Sequence, residues 1–473
     1  MKKKHAISKH GNTAAAGHTT DKPVDIGSRL ELFIDRLLVK SLKETSFKMH
    51  SPQLSEPPGS PVKGAYMTVM LDGRKYRAYY RQYNPSYTGE KHDGNKGEMT
   101  SYAESQDGRD WTFPKLGICK VNGNSRNNTL LAIPPFCHNF APFRDANPAA
   151  ARPARYKALA GTHRGSPNNS ESKCSAGGLY AFHSPDGLRW KMTGDKPVIT
   201  DPDFCFDSQN VSFWSETEKR YVCYYRSWRT SHGKLRSISR TTSPDYLQWG
   251  PVVDMDPNLP GEHLYTSQTH PYFRAPHIYI ALPTRYTAGR VGTETTHAMQ
   301  GSTDILFMAT RAGTAKYERL FTEAFIRPGL DPERWGNRAN YAACGVVPTG
   351  PAEISIYHAH SGRRYTLRAD GFISINAGSA RGEFVTKPFI FKGRKLFINY
   401  STSADGFIRV EMQPAGGRPA RGYALDECRT IVGDSIAQAV IWKNGADTHR
   451  LAGQPVRLRF VMKEADLFSI QFR

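Results

Sequence analysis

Ser184-Pro185-Asp186-Gly187-Leu188-Arg189-Trp190 is a phrase that the chain repeats, and this repetition decides the fold. An earlier copy is Ser105-Gln106-Asp107-Gly108-Arg109-Asp110-Trp111, and a later one is Ser243-Pro244-Asp245-Tyr246-Leu247-Gln248-Trp249. In such a phrase the Asp accepts hydrogen bonds from a tight turn, Gly supplies a positive φ, and the Trp re-enters a packed layer. Turn phrases that recur at this long spacing predict stacked copies of one all-β unit, which is typical of a β-propeller.

The same order of short strands surrounds each turn phrase. Period-2 alternation is plainest in residues 75–81 and 221–225. Five units are predicted, over 65–115, 139–199, 209–255, 269–326 and 341–368, and a sixth stays open. The outer strand of the fifth unit is predicted at 372–376 or within 30–39, where the second choice closes the ring.

The turn phrase is absent after about residue 377, where short strands separated by Gly-rich turns predict an antiparallel sandwich. The predicted fold class is therefore all-β, a five-bladed β-propeller followed by a C-terminal β-sandwich. The predicted domains are a disordered basic tail over 1–28, the propeller over 29–376 and the sandwich over 377–473.

The net charge of +21 favours polyanionic partners, although a basic surface can also be merely solvated. No signature of a nucleic-acid-binding module occurs, and no apolar run is long enough to span a membrane. The seven cysteines include no C-x-x-C pair, which argues against a disulfide framework and a zinc site. Without an apolar signal segment the expected compartment is the cytoplasm, or the periplasm or exterior if the true start lies elsewhere.

Four further phrases carry a resemblance to known proteins: Leu32-Phe33-Ile34-Asp35, His138-Asn139-Phe140-Ala141-Pro142-Phe143, Phe206-Asp207-Ser208-Gln209-Asn210-Val211 and Val456-Arg457-Leu458-Arg459-Phe460. They resemble those of glycosyl-hydrolase-like five-bladed propeller proteins, the group of the invertases and levanases (glycoside hydrolase family 32) and the arabinanases (family 43). A bacterial subgroup of these proteins is the most similar. The resemblance implies the fold and a carbohydrate substrate. The W-[ML]-N-D-P-N-G phrase of family 32 is absent, so the resemblance does not assign the catalytic residues.

In a propeller the innermost strands converge on one axis, so acidic side chains at their starts can meet. Glycoside hydrolysis needs two carboxyl groups, one protonated and one ionised. We predict Asp207, in an otherwise apolar loop, and Glu262, beside an imidazole and a phenol, as this pair. Asp35 is the predicted substitute for either. The structural alternatives are an Asx turn at Asp207, a loop charge at Glu262 and a surface ion pair at Asp35.

Other polar side chains at the strand starts are predicted to bind the sugar. An Arg pair with Trp and Tyr at residues 334–341 suits an anionic sugar, because guanidinium groups bind carboxylate or sulfate and rings stack on sugars. For all of these the structural alternative is a strand cap or a packed aromatic. The predicted substrate-binding residues are His138, Asn139, Gln209, Asn210, His263, Arg338 and Tyr341.

Two functions are weighed: a glycoside hydrolase acting on an oligo- or polysaccharide, anionic ones included, and a non-catalytic carbohydrate-binding propeller. A scaffold that binds polyanions through surface Arg is a third hypothesis. No cofactor or metal ligand set is predicted, a structural Ca²⁺ stays open, and the predicted partner is carbohydrate, with neither nucleic acid nor membrane. The sequence leaves the oligomeric state undetermined.

Overall fold

The computed structural model describes residues 22–59, 62–163, 177–292, 300–414 and 417–473. These residues form an all-β protein: they contain many strands, no α-helix, and short 3₁₀ turns at Phe136–His138, Arg152–Ala154, Pro332–Arg334 and His449–Leu451. None of the described helices is long and apolar enough to cross a membrane. Most of the predicted basic tail, residues 1–21, lies outside the described residues, as does Cys174.

The chain begins with strands that belong to sheets completed much later in the sequence. They are β1 (Val24–Gly27), β2 (Glu31–Leu32), β3 (Val39–Lys43), β4 (Thr45–Met49) and β5 (Gln53–Gly59).

Six antiparallel sheets follow in the described chain, and we group them into the five units predicted from the sequence. The first contains β6 (Ala65–Asp72), β7 (Lys75–Tyr83), β8 (Glu98–Ser105), β9 (Trp111–Thr112) and β10 (Thr129–Leu131). The second contains β11 (Ala141–Arg144), β12 (Tyr156–Ala160), β13 (Tyr180–Ser184) and β14 (Lys191–Met192). The third contains β15 (Val211–Ser215), β16 (Arg220–Ser227), β17 (Ser237–Ser243) and β18 (Val253–Asp254).

The fourth unit is interrupted, so that it forms two three-stranded sheets. Its strands are β19 (His263–Leu264), β20 (His270–Tyr272), β21 (Ala275–Ala281), β22 (Thr284–Thr287), β23 (Ser302–Ile305) and β24 (Met308–Arg311). The fifth unit contains β25 (Val347–Pro348), β26 (Glu353–Tyr357) and β27 (Arg363–Arg368). Its outer strand is β5, which pairs antiparallel with β27. Both predicted choices for this strand were wrong, because a segment with two prolines carries little strand signal yet is tolerated at a sheet edge.

The first strands of the units contact one another in cyclic order. β6 contacts β11, β11 contacts β15, β15 contacts β20, and β25 contacts β6. Between the fourth and fifth units, the backbone N–H of Val346 donates to Nε2 of His270 over 3.0 Å. A cavity of about 420 Å³ lies at one end of this ring, beside Met70 of β6. Every unit contributes a residue to its wall: Met70, Phe143, Phe213, Phe273 and Val346.

The repeated turns fasten each unit to the one before it. In the second unit, Oδ1 of Asp186 accepts from the backbone N–H groups of Leu188 and Arg189, each over 2.8 Å. The carbonyl oxygen of Asp186 accepts from Nη1 of Arg77 in the first unit over 2.8 Å. Gly187 has φ 76°, as predicted for the turn. The phrase therefore acts both as a turn and as a contact between units.

The C-terminal chain forms a separate, larger sheet from β28 (Ile373–Ala377), β29 (Gly382–Thr386), β30 (Phe389–Phe391), β31 (Leu396–Pro414), β32 (Asp434–Ala439) and β33 (Val456–Phe472). The long strands β31 and β33 pair with each other, with a register shift between Thr402 and Phe407. β1, β2, β3 and β4 complete this sheet by pairing with β30, β33, β29 and β28. The predicted domain boundaries at residues 28 and 376 stay predictions, and strand pairing crosses both.

We predict that Gly187→Ala destabilises the protein more than Gly194→Ala. Both glycines have positive φ, so either alanine costs about 1–2 kcal/mol of backbone strain. A Cβ at Gly187 would also lie 2.8 Å from the Tyr79 hydroxyl of the first unit, whereas a Cβ at Gly194 meets nothing within 4 Å. The difference in the free energy of unfolding, measured in urea, should be about 1–3 kcal/mol. Equal losses would contradict the proposed role of the turn as a contact between units.

Candidate functional site

The starts of the first strands converge, and aromatic rings mark the point where they meet. The ring of Tyr66 lies 5.3 Å from that of His138 and 5.7 Å from that of Tyr341, and Tyr341 lies 6.0 Å from Tyr265. The Tyr66 hydroxyl donates to the backbone carbonyl of Asp207 over 3.4 Å. Residues of all five units take part, as expected for strand starts that surround one axis.

Guanidinium groups from the second strands and from loops surround these rings. The Arg81 guanidinium lies 4.7 Å from the ring centre of Tyr66, and that of Arg236 lies 4.6 Å from the ring centre of Tyr265. Arg226 is buried and forms an ion pair with Asp207. We name the whole cluster the axial mouth; it consists of Tyr66, Arg81, Asp93, His138, Asp207, Arg226, Trp228, Arg236, Tyr265, Arg338 and Tyr341.

His138 is held by a buried carboxylate. Its Nδ1 lies 2.9 Å from Oε1 of Glu98, and the same oxygen lies 3.1 Å from Nη1 of Arg81. Burial raises the pKa of Glu98, but the charge and hydrogen bond of His138 and the charge of Arg81 outweigh burial, and the pKa is lowered. Glu98 is therefore an ionised group that orients the imidazole.

Asp93 is the most exposed carboxyl group of the mouth, with 43% of its side chain accessible, and its Oδ1 lies 4.0 Å from Nε2 of His138. Burial raises the pKa of Asp93, but His138, Arg338, Arg81 and Arg226 together lower it. The sequence analysis missed this residue, because its loop between β7 and β8 lies far along the chain from any first strand. A weak signal was available, since residues 90–98 are rich in charged residues and contain two glycines.

Three of the predicted sugar-binding residues are buried beneath the mouth, where their amide groups contact protein. Nδ2 of Asn139 donates to the carbonyls of Gly161 and Ser208 over 2.7 and 2.9 Å. Nε2 of Gln209 donates to Oγ1 of Thr68 over 2.9 Å, and Nδ2 of Asn210 donates to the Ser208 carbonyl over 2.8 Å.

These amides link different units across the axis. Asn139 of the second unit bonds to the third, and Gln209 of the third bonds to the first. Gln268 of the fourth unit donates to Oε1 of Gln209 and to the Ala342 carbonyl, each over 2.8 Å. We call Asn139, Gln209, Asn210 and Gln268 the amide layer.

Glu262 and Asp35 are placed differently from the prediction. The Glu262 oxygens accept from Nη1 and Nη2 of Arg319 over 2.6 and 2.8 Å. Asp35 forms an ion pair with Arg311 at 2.5 Å. Among the described residues, neither carboxyl group contacts a member of the axial mouth, and both stabilise distant parts of the chain.

The remaining predicted residues lie at the mouth. His263 is at its rim, where its ring lies 6.2 Å from that of Trp228 and its Nδ1 accepts from the backbone N–H of Arg236 over 3.1 Å. Arg338 is exposed and acts electrostatically on Asp93 and Tyr341. Burial raises the pKa of Tyr341 well above its ordinary value, so this hydroxyl remains protonated.

Backbone strain accumulates at the same place. Tyr66, Phe206 and Arg338 have φ values of 44°, 74° and 64°, in the left-handed region that non-glycine residues rarely adopt. Strained backbone is concentrated at functional sites in proteins, because surrounding contacts must hold it. Here the strain lies at the starts of three different units.

No protein-family model matches the chain, and no curated protein matches its sequence. Among solved structures, it is similar to a family 43 arabinoxylan arabinofuranohydrolase from Bacillus subtilis, with 15% identity, 87% of this chain and 96% of that one covered, and a TM-score of 0.38. It is also similar to a family 32 β-fructofuranosidase from Bombyx mori, with 11% identity, coverage of 91% and 95%, and a TM-score of 0.39. An N-acetylgalactosamine deacetylase from F. plautii has 11% identity, coverage of 90% and 95%, and a TM-score of 0.43.

Two of these structures are glycoside hydrolases of the families that the sequence phrases resemble, so that resemblance recurs among solved structures. At such low identities and TM-scores, the reaction and its residues have to be inferred from the geometry of this chain alone. Among the described residues no group of three His, Cys, Asp or Glu could hold a metal ion. The structural Ca²⁺ that the sequence leaves open stays untested.

We predict that Gln209→Ala lowers the free energy of unfolding by about 2–4 kcal/mol, because it creates a cavity and leaves buried groups of Thr68 and Gln268 without a partner. Gln248→Ala is the matched control: this side chain is exposed, and the change should stay within about 0.5 kcal/mol. Urea unfolding of both variants measures the difference. A stable Gln209→Ala variant that loses saccharide binding would instead support the sugar contact predicted from the sequence.

Proposed function

We propose that the chain is a glycoside hydrolase whose active site is the axial mouth of a five-bladed β-propeller. The observation that carries the proposal is the convergence of two carboxyl groups, an oriented imidazole and several aromatic rings at the start of five first strands. Hydrolysis of a glycosidic bond requires carboxyl groups beside one sugar, and rings at such a site stack on its apolar faces.

The propeller is supported by the cyclic contacts of β6, β11, β15, β20 and β25 and by the turns that fasten successive units. The proposed propeller spans 29–376, and the larger sheet over 377–473 is proposed to be a β-sandwich. Pairing of β1 to β4 into that sheet gives the sandwich a structural role, because it fixes the N-terminal chain against the propeller.

Asp207 and Asp93 replace the pair predicted from the sequence. Asp207 lies at the start of the third first strand, and its Oδ1 forms an ion pair with Arg226. Asp207 is therefore assigned to the ionised role, as nucleophile or as general base toward water. Asn139, Gln209 and Asn210 hold the units together below it, and His138, His263, Arg338 and Tyr341 bind the sugar.

Asp93 is assigned as the general acid that protonates the leaving oxygen while the bond from the anomeric carbon breaks. In the unliganded protein His138, Arg338, Arg81 and Arg226 lower its pKa. A saccharide with an anionic group would screen these cations and exclude water, and both effects raise the pKa of Asp93. The substrate itself thus brings the acid toward the protonated form that the reaction requires.

Non-catalytic carbohydrate binding is the second candidate. It is favoured by the lowered pKa of Asp93 and by the ion pair of Asp207, since a general acid has to be protonated to donate a proton.

We predict that Asp93→Asn lowers kcat at least about 100-fold on unactivated oligosaccharides and far less on aryl glycosides, whose leaving groups need little protonation. Asp207→Asn should lower kcat on both. The measurement is turnover of a panel of oligosaccharides that includes sulfated and uronic-acid members. Glu90→Gln, an exposed acid of the same loop, is the control and should retain full turnover.

Glu262→Gln separates this proposal from the pair predicted by the sequence. It removes half of the ion pair with Arg319, so we expect lower stability and unchanged kcat. Loss of kcat in Glu262→Gln with Asp93→Asn fully active would overturn the assignment of Asp93. Saccharide binding by the wild type, retained by all these variants, without turnover of any panel member would establish the second candidate.

A further inference from the structure

One side of the axial mouth contains buried hydrogen-bond donors that have no acceptor among the described residues. They are Nε and Nη1 of Arg226, Nε1 of Trp228 and Nε of Arg236. Each of these groups can donate and none can accept. Buried donors normally have partners, so a cluster without them calls for an explanation.

The three side chains form one contiguous group. The Arg226 guanidinium lies 5.4 Å from the ring centre of Trp228, and that of Arg236 lies 4.5 Å from it. Arg226 is 4% exposed, so its charge is almost wholly removed from water. Burial and the neighbouring charge of Arg236 lower the pKa of Arg226 to about 10. Arg226 is thus a desolvated cation with a second, half-buried cation beside it.

Among the described residues, the carboxyl groups of the mouth compensate only one of these two cations. Asp207 faces Arg226 through Oδ1. For Arg236, the structure gives contacts with the faces of three rings, Trp228, Tyr265 and Tyr286, and no ion pair with a described carboxylate. Aromatic faces attract a cation but accept no directed N–H bond of full strength. An anion would supply both the charge and the acceptors that the cluster lacks.

We infer that Arg226, Trp228 and Arg236 form a subsite for an acceptor-only anionic group of the saccharide, a sulfate ester or a carboxylate. This inference rests on the proposed function for the saccharide that carries the group, and it adds the group and its position. A planar guanidinium binds either anion through paired N–H bonds. The rings of Tyr265 and Tyr286, beside Arg236, offer faces on which the adjoining sugar can stack.

Neutral sugars fit this cluster less well. A hydroxyl group carries a donor of its own, and it brings no charge to offset the cations of Arg226 and Arg236. Metal cations are excluded by the positive charge. Because the four nitrogen atoms are closed to solvent, binding has to shift the half-buried side chains of Trp228 and Arg236. The indole fluorescence of Trp228 should report that shift.

Binding to the full chain tests the inference independently of turnover. The probes are a sulfated oligosaccharide, a uronic-acid oligosaccharide, the neutral parent of each, and inorganic sulfate, all titrated at constant ionic strength by calorimetry and tryptophan fluorescence. We expect each anionic saccharide, or one of the two, to bind at least 10-fold more tightly than its neutral parent. The anionic saccharide with the larger gain in affinity over its neutral parent identifies the anion. The fluorescence change should be lost in Trp228→Phe.

The variants are Arg236→Gln and Arg226→Lys, with Arg220→Gln as control, because Arg220 is an exposed arginine at the start of the strand that carries Arg226. Arg236→Gln, whose side chain is half-buried, should reduce the anionic preference about 10-fold, measured as the ratio of the affinities for the anionic saccharide and its neutral parent. Arg226→Lys keeps the charge and loses the paired N–H geometry, so it should also reduce the preference. Arg220→Gln should behave as the wild type.

Equal affinity for anionic and neutral saccharides would overturn the inference. An anionic preference that persists in both variants would also overturn it. So would a preference that salt abolishes but neither variant changes, because that result would indicate general attraction to the basic surface. An anionic preference that both variants reduce, in a protein that turns over no saccharide, would uphold the subsite and refute hydrolysis. Arg236→Gln keeps the test decisive if Arg226→Lys fails to fold.

Discussion

The structure depends on hydrogen bonds that the amide layer makes to backbone carbonyls at the centre of the ring. Where the first strands converge, their backbone carbonyl oxygens are buried and lack the partners that a regular sheet would supply. A buried carbonyl without a hydrogen bond lowers the stability of the folded chain. Asn139 supplies donors to Gly161, Phe206 and Ser208, and Gln268 supplies one to Ala342. These bonds join units distant in the chain and fix the floor on which the mouth is built.

A second set of buried polar contacts fixes the larger C-terminal sheet to the ring. Asp370, fully buried, accepts from the hydroxyls of Tyr272 and Ser469, each over 2.9 Å, and from Nδ2 of Asn399 over 3.0 Å. It therefore connects the fourth unit to β31 and β33. Glu31 makes a similar connection to His277 and Arg311, and these two bases outweigh the effect of burial and hold its pKa at about 2. Arg311, which binds Glu31, also forms the ion pair with Asp35, so Asp35 belongs to the same structural network.

The sequence was informative where the signal is local. The turn phrase needs only a few consecutive residues, so it predicts the units, and the strand starts direct attention to His138, Asp207 and Tyr341, whose roles stay predictions. The second strands were less readable. Alternation shows which residues of β7 and β16 share a face, but not which of them lies at the axis, so Arg81 and Arg226 were missed. A criterion restricted to Asp, Glu and His also passes over Tyr66.

The partners of Glu262 were not predictable from the sequence for a different reason. Acid, imidazole and phenol are adjacent in the sequence, but strand alternation sends neighbouring side chains to opposite sides of a sheet. His263 contacts the mouth, and Glu262 turns toward Arg319 and Arg285, which lie far along the chain. No local pattern reveals such partners. The all-β class and the repeated unit were therefore predictable, whereas the pairing of charges required the folded chain.

The charges of the mouth connect the proposed anion subsite to the proposed acid. Arg226 belongs to the subsite, and its charge also contributes to the lowered pKa of Asp93. An anion that offsets this charge raises the pKa of Asp93, and thermodynamic linkage requires the converse, that protonation of Asp93 strengthens binding of the anion. A neutral saccharide would leave the carboxyl group ionised and poorly suited to donate a proton. The excess of guanidinium over carboxyl groups can therefore select the substrate twice, once by affinity and again through the protonation state of the acid.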